Sequence, residues 1–369
     1  MRIVLTGGGT GGHLYPLVAV AEKIKQKLGP EVEFLYMGSG AEMEKKIMAE
    51  EGITAKHVLS GKMRRYFSLM NLVDVFKLPL GFIQSLAILL WYMPDAIFSK
   101  GGYVAVPVVL AAWCYRIPVM MHESDSIPGI SNQFLAKFAS RIAVAYPSAE
   151  QYFPKEKTAL VGNPIRHQVT EGNAKMLRQE LNFTESKKII LVLGGSQGSE
   201  IINDAILHIL PKLLFSYQII HQTGEKNYKR VLEEAALQGI KVGREGYAVF
   251  GFMNANKLRD AFALCDLVVS RAGATFITEI AANGKPSILI PLDGSANEHQ
   301  RMNAYEIAQV GGALVLEETN LGEHMLGQKI DDILSNNELM EGMSREIKKF
   351  YHAEAAEIIA NGTIELARK

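Results

Sequence analysis

The sequence predicts an α/β protein of two halves, each a parallel sheet with crossover helices. Three observations carry that expectation. Short apolar runs alternate with stretches of helical period along the chain, as successive βαβ units require. Two of the runs, 3–6 and 190–193, each end in a glycine-rich loop that opens a helix-period stretch. The 369 residues exceed one ordinary core, so two domains are expected.

In the first half the strand-like runs are 3–5, 32–36, 96–98, 119–121 and 142–144. The strongest apolar run, 78–93, is short for a bilayer span, contains Gln84, carries Pro79 near its start and meets Pro94 at its end. It reads as a buried or interfacial helix, with most of its residues in the core. Gly162-Asn163-Pro164-Ile165-Arg166, followed by the polar Thr170-Glu171-Gly172-Asn173, reads as the interdomain boundary. In the second half the runs are 189–193, 218–221, 248–250, 267–269, 288–290 and 314–316. The stretch 323–369 is helical by period, with Leu326, Ile330, Ile333 and Leu334 on one face.

Composition narrows the function. With 48% apolar and 21% charged residues the chain can bury large cores. Lys plus Arg and Asp plus Glu both number 39, so no global field attracts nucleic acid, which is not expected as a partner. Cys114 and Cys265 stand far apart in apolar stretches, the usage of a reduced compartment, and both read as packing residues. The first residues lack a cationic region followed by a long apolar core, so nothing there directs secretion.

A glycine loop between strand and helix lets backbone N–H groups approach phosphate oxygens at the positive end of the helix. Gly7-x-Gly9-x-x-Gly12 formally fits the dinucleotide fingerprint. The acid that should end the second strand and bind a ribose is missing, because residues 32–37 run into Gly38-Ser39-Gly40. Gly61-Lys62 is followed by Met63 and Gly284-Lys285 by Pro286, which excludes a P-loop. There is no H-E-x-x-H and no paired C-x-x-C, so neither a metal nor another cofactor is called for.

The first loop ends in His13, where an imidazole would stand beside bound phosphates at the sheet edge and could accept a proton from an attacking hydroxyl. Ser99-Lys100-Gly101-Gly102-Tyr103 reads equally as a second phosphate cradle or as a tight turn without a ligand. Ser270-Arg271-Ala272-Gly273-Ala274-Thr275 precedes a helix bearing Glu279, and Asn297-Glu298-His299-Gln300 precedes another. Glu279 reads evenly as a ribose acceptor and as one partner of an exposed helix ion pair.

Taken in order, Gly7-Gly8-Gly9-Thr10-Gly11-Gly12-His13, Ser99-Lys100-Gly101-Gly102-Tyr103, His122-Glu123-Ser124-Asp125-Ser126-Ile127-Pro128-Gly129, Gly162-Asn163-Pro164-Ile165-Arg166, Gly194-Gly195-Ser196-Gln197-Gly198 and the segment from Ala272 through Glu279 resemble the MurG family of bacterial N-acetylglucosaminyltransferases across nearly the whole chain. The resemblance implies a GT-B fold, two Rossmann-like parallel-sheet domains facing across a cleft. Residues 1–163 would form an acceptor and membrane-facing domain, with a C-terminal helix at about 350–369 packing back on it, and residues 164–349 the donor domain.

The implied reaction is inverting, metal-independent transfer of GlcNAc from UDP-GlcNAc to the C4 hydroxyl of MurNAc in lipid I, giving lipid II for peptidoglycan. His13 would be the base. Ser196 and Arg166 would meet the UDP phosphates, the residues Ala274, Thr275, Phe276, Ile277, Thr278 and Glu279 the nucleoside, Met253 the uracil, and Gln300 the donor sugar. Thr10, Gly11 and Gly12 would lie beside the transferred sugar, and Gly9, Gly101, Gly102 and Tyr103 near the acceptor diphosphate. Asp125 would hold the donor sugar, although the family more often has Gln-Asn where this chain has Ser124-Asp125, and an Asp cannot donate as an Asn amide does. Two glutamines likewise often stand where this chain has His299-Gln300. The implied partners are UDP-GlcNAc, lipid I, other cell-wall synthesis or division proteins, and the cytoplasmic face of the cell membrane. Lys62, Arg64 and Arg65 beside Tyr66 and Phe67, with the apolar run nearby, would meet that membrane. Two alternatives stand beside this: a GT-B enzyme with another lipid acceptor such as diacylglycerol, and a non-catalytic nucleotide-sugar-binding paralogue.

Overall fold

Every strand-like run read from the sequence coincides with a strand in the computed structural model, which describes residues 1–8, 11–61, 69–195, 197–295, 298–322 and 324–369. The chain divides into two units, Met1–Arg166 with His352–Lys369, and His167–Tyr351.

The first unit runs β1 (Arg2–Thr6), α1 (Gly11–Leu28), β2 (Glu33–Gly38), α2 (Glu42–Glu50), β3 (Thr54–His57), α3 (Leu69–Tyr92), β4 (Ala96–Ser99), α4 (Ala105–Cys114), β5 (Val119–Glu123), α5 (Ile130–Leu135), β6 (Arg141–Val144) and β7 (Thr158–Leu160). Its strands lie in the order β3-β2-β1-β4-β5-β6-β7, and every pairing is parallel. Central strands such as β1 and β4 carry continuous apolar runs, residues 3–5 and 96–98, because helices cover both faces of a parallel sheet.

The second unit runs α6 (Ala174–Glu180), β8 (Lys188–Leu193), α7 (Glu200–Ser216), β9 (Tyr217–Gln222), α8 (Tyr228–Leu237), β10 (Tyr247–Phe250), α9 (Ala255–Leu264), β11 (Leu267–Ser270), α10 (Ala274–Asn283), β12 (Ser287–Leu289), α11 (His299–Gln309), β13 (Leu314–Val315), α12 (Met325–Leu334) and α13 (Asn337–Lys348). Its order is β10-β9-β8-β11-β12-β13, again all parallel. The starts of α7 and α9 are fixed by side-chain caps, Ser199 accepting from the Ile202 amide at 3.3 Å and Asn254 from the Lys257 amide at 2.9 Å.

The last helix, α14 (Ala355–Ala367), belongs to the first unit. Ala355, Ile359, Ala360, Ile364 and Leu366 enter the same core as Ile3, Leu5, Leu17 and Phe98. Lys27 and Arg141 add ion pairs to Glu357 and Glu365, each at 2.7 Å.

Two readings need correction. The apolar run 78–93 is not mainly core. Leu80, Ile83, Leu90 and Trp91 are exposed at helical spacing on α3, with Met93 just beyond, while Gly81, Ser85 and Leu89 face inward. Pro79, near the start of the apolar run, lies well inside this helix. Gln84 has a structural task, donating to the His57 carbonyl at 2.5 Å and accepting from the Leu59 amide at 3.0 Å. Nor do both cysteines pack inside. Burial pushes the Cys265 thiol up to about 12, whereas Cys114 is exposed because α4 ends there, between exposed Trp113 and Tyr115. Among the described residues no helix is long and apolar enough to cross a membrane.

Candidate functional site

In each sheet the chain reverses its winding between two adjacent strands, and ligands of open α/β sheets bind beyond the carboxyl ends of those strands. In the first unit the switch lies between β1 and β4, the strands that end in the two glycine turns. In the second it lies between β8 and β11, which end in the second glycine loop and in Arg271-Ala272-Gly273.

At the first switch, a Cβ on Gly7 would come within 2.8 Å of Lys100 Cβ, so only glycine lets the two strand exits approach this closely. The Tyr36 hydroxyl donates to the Gly7 carbonyl at 2.5 Å, tying the loop to β2. Gly11 and Gly12 open α1, and His13 stands in its first turn. His13 Nδ1 is 2.8 Å from the Gly8 carbonyl oxygen. A carbonyl only accepts, so Nδ1 carries the proton and a neutral ring has its lone pair on Nε2. Gly9 and Thr10 lie outside the described residues.

Gly101 and Gly102 adopt φ of +79° and +80°, and a Cβ on Gly102 would lie 3.8 Å from His13 Cε1. The glycine turn is therefore packed beside the imidazole. Tyr103 follows it, half-buried. Beneath it, buried Lys100 donates to His122 Nδ1 at 2.8 Å, and His122 Nε2 donates to the Gly162 carbonyl at 2.9 Å. Burial pulls the Lys100 ammonium down, against Glu123 and Asp125, which hold it up. Burial pushes the Glu123 carboxyl up, and Asp125 adds to the rise. Asp125 is half-buried, its amide donating to Glu123 Oε1 at 2.9 Å. The Arg166 guanidinium lies over the Tyr15 ring, 4.1 Å from its centroid, so Arg166 belongs to the first unit.

At the second switch, Ser196 lies outside the described residues, but the glycines around it are placed. Gly195, at φ +92°, has no described atom within 4 Å of a would-be Cβ, whereas a Cβ on Gly198 would fall 2.1 Å from the Thr223 carbonyl oxygen. Gln222, which sequence reasoning missed, accepts from the Met253 amide at 2.9 Å, and its own amide nitrogen lies 3.5 Å from the Gly195 carbonyl. It brings Met253 to the loop. Its place as the last residue of β9, next to the switch strand β8, was the one available signal.

Ala274 opens α10, on which Thr275 and Phe276 are half-buried and Ile277, Thr278 and Glu279 are buried. The Thr278 hydroxyl returns to the Ala274 carbonyl at 2.8 Å. Glu279, only 6% exposed, is not an exposed helix ion-pair partner. Gln300 accepts from the Leu292 amide at 3.1 Å, which leaves its NH2 group to act as the donor. Buried Arg271, also missed, pairs with Glu318 and donates to the Ser199 hydroxyl at 2.6 Å, joining the start of α7 to the segment before α11.

Behind this loop, fully buried His221 lies 2.8 Å from the Tyr247 hydroxyl and 3.0 Å from Asn203 Oδ1, and Asn203 donates to the Thr223 carbonyl at 3.1 Å. Burial pulls the imidazole from 6.5 down to about 3. The unfolded chain therefore takes up a proton that the folded one refuses, so this stability is present above pH 6.5 and is lost as the pH falls toward 3. On the order of 5 kcal/mol is at stake across that window. Thermal melts are expected to fall more steeply over this range for the native protein than for His221→Gln; parallel curves would refute the assignment.

Two family models match the chain, the glycosyltransferase family 28 N-terminal domain over residues 3–144 and the glycosyltransferase family 28 C-terminal domain over residues 189–359. A Clostridium botulinum protein named UDP-N-acetylglucosamine–N-acetylmuramyl-(pentapeptide) pyrophosphoryl-undecaprenol N-acetylglucosamine transferase is 40% identical over 346 residues, 93% of this chain and 94% of its own. The chain belongs to glycosyltransferase family 28. A second member of that name, from Clostridium perfringens, is 39% identical over 91% of both chains. Among solved structures, MurG of Acinetobacter baumannii superposes with a TM-score of 0.76 at 23% identity, covering 99% of each chain. The UDP-GlcNAc 2-epimerase of Neisseria meningitidis gives 0.70 at 12%, covering 99% of this family 28 chain and 100% of its own. The fold class is the expected one, two parallel-sheet α/β domains of the GT-B type.

Proposed function

We propose that this protein transfers GlcNAc from UDP-GlcNAc to the C4 hydroxyl of MurNAc in lipid I, with inversion and without a metal, forming lipid II for peptidoglycan. The identity of about 40% to transferases of that name, over more than nine-tenths of the chain, carries the reading. His13 Nε2 takes the proton from the C4 hydroxyl as it attacks the anomeric carbon, because the Gly8 carbonyl holds the proton of the neutral ring on Nδ1.

Charge grows on the leaving UDP. Arg166 and Ser196 meet its phosphates, together with the N-terminus of α7, whose dipole contributes about 1 kcal/mol. Residues 274–279 and Met253 hold the nucleoside, with Glu279 on the ribose. Gln300 and Asp125 hold the sugar, and Thr10, Gly11 and Gly12 lie beside it as it is transferred. Gly9, Gly101, Gly102 and Tyr103 serve the acceptor diphosphate. The test supplies radiolabelled UDP-GlcNAc with lipid I or with diacylglycerol. Label is expected in the lipid I product alone. Label in diacylglycerol would replace this acceptor, and UDP binding without turnover would leave a nucleotide-sugar-binding paralogue.

The acceptor is a lipid, and the protein works as a peripheral enzyme on the cytoplasmic face of the cell membrane, beside other cell-wall synthesis or division proteins. The exposed stripe of Leu80, Ile83, Leu90 and Trp91 on α3 supports that reading. The cations first assigned to it, Lys62, Arg64 and Arg65, lie with Tyr66 and Phe67 outside the described residues. Removing two such side chains from an apolar interface costs about 1.5–3 kcal/mol each when burial is complete, so Ile83→Asp with Trp91→Asp is expected to weaken flotation with anionic liposomes at least about tenfold. Unchanged flotation would move the contact elsewhere.

A further inference from the structure

Asn132 lies on α5 and is 6% exposed. Its two amide atoms go to different motifs. Oδ1 accepts from the Gly102 amide at 3.1 Å, and Nδ2 donates to Glu123 Oε2 at 2.8 Å. The other oxygen of Glu123 accepts from the Asp125 amide at 2.9 Å. One side chain thus spans from the turn beside His13 to the loop that carries Asp125. The fit is close: a Cβ on Gly101 would lie 1.7 Å from Asn132 Oδ1, so the turn is glycine here partly because Asn132 occupies the space above it.

An amide suits this place and a carboxylate does not. The bridge needs one acceptor, for a backbone N–H, and one donor, for a carboxylate, and Asn supplies both without a charge. Both contacts are buried, where losing a partner costs more than the bond contributes.

We propose that Asn132 is a positioning residue for transfer: it holds the Gly101-Gly102 turn against His13 in fixed register with the Asp125 loop. The proposal rests on His13 being the base. Asn132 acts through its neighbours. Its loss lets the turn and the loop move independently, and displacements of about 1 Å around a reacting centre can cost about 10²-fold in rate.

The test is steady-state kinetics of the full-length protein with UDP-GlcNAc and lipid I, with kcat counted per UDP-binding site. Asn132→Ala is expected to lower kcat by about 10²-fold, with a much smaller rise in the KM for UDP-GlcNAc through the freed Asp125 loop. In Asn132→Asp the acceptor for Gly102 is kept, but a second carboxylate faces Glu123. A proton shared between the two acids would restore the bridge, so the kcat of Asn132→Asp relative to native is expected to rise as the pH is lowered. Lys100, His122, Asp125 and His13 surround the bridge in both proteins, so their contributions largely cancel in that ratio.

A purely structural role would lower the number of binding sites and leave kcat per site native, which would overturn the proposal. So would a pH-independent ratio for Asn132→Asp. A His13→Ala control separates the two layers: if it is inactive while Asn132→Ala has native kcat, only the positioning role falls. If both turn over normally, the base assignment falls with it.

Discussion

His13→Ala is expected to lower kcat by about 10²–10⁴-fold, the usual contribution of a positioned general base, with UDP affinity close to native. The reasoning begins in the backbone. Gly7 must be glycine for the exits of β1 and β4 to meet, and their approach sets the Gly101-Gly102 turn beside the imidazole. The Gly8 carbonyl, 2.8 Å from Nδ1, then selects the tautomer with its lone pair on Nε2. His13→Gln tests geometry against basicity, because its amide can still donate to the Gly8 carbonyl but offers no basic nitrogen. It should therefore be as slow as the alanine variant. UDP affinity is read by calorimetry, turnover by release of radiolabelled product. Normal turnover of either variant would demote His13 to a packing residue at the start of α1.

The two glycines flanking the centre of the donor loop are expected to fail in opposite ways when changed to alanine. At Gly198 the new Cβ falls 2.1 Å from the Thr223 carbonyl oxygen and 2.8 Å from the Asn227 side-chain Nδ2, in a backbone at φ +81°. Backbone strain and overpacking together should cost about 2–6 kcal/mol, so Gly198→Ala should lose thermal stability before donor binding can be judged. At Gly195 the Cβ meets no described atom. Gly195→Ala carries only the strain of its positive φ, about 1–3 kcal/mol or less, and its added methyl projects where the approach of a diphosphate to the backbone is proposed. Its donor KM should rise with a smaller change in melting temperature. Equal melting temperatures for the two variants would contradict this packing, and an unchanged KM for Gly195→Ala would move the diphosphate elsewhere.

Much of the architecture was legible because buried parallel strands and their glycine exits leave local signals. β1, β4, β8 and β11 each carry a continuous apolar run, and both switch points fall at motifs visible in the sequence. The edge strands of the first sheet were not legible. Thr54-Ala55-Lys56-His57 and Thr158-Ala159-Leu160 bury little, so no apolar run marks them, and parallel pairing with one neighbour defines them. The extent of α3 was not legible, because the apolar run begins only at Leu78 whereas the helix begins at Leu69 and continues through Pro79. At the sites, His13 and Glu279 stood out by residue type. Asn132, Gln222 and Arg271 did not, because each acts between segments distant in sequence.

Because α14 completes the core of the first sheet, that sheet cannot be finished until residues 355–367 have been made. The second unit, complete by Tyr351, has all of its own chain earlier. During synthesis the usual order of N-terminal domain first is therefore reversed for the last stage of packing. For that interval, the surface that α1, β4 and β5 present to α14 is an apolar patch without its cover.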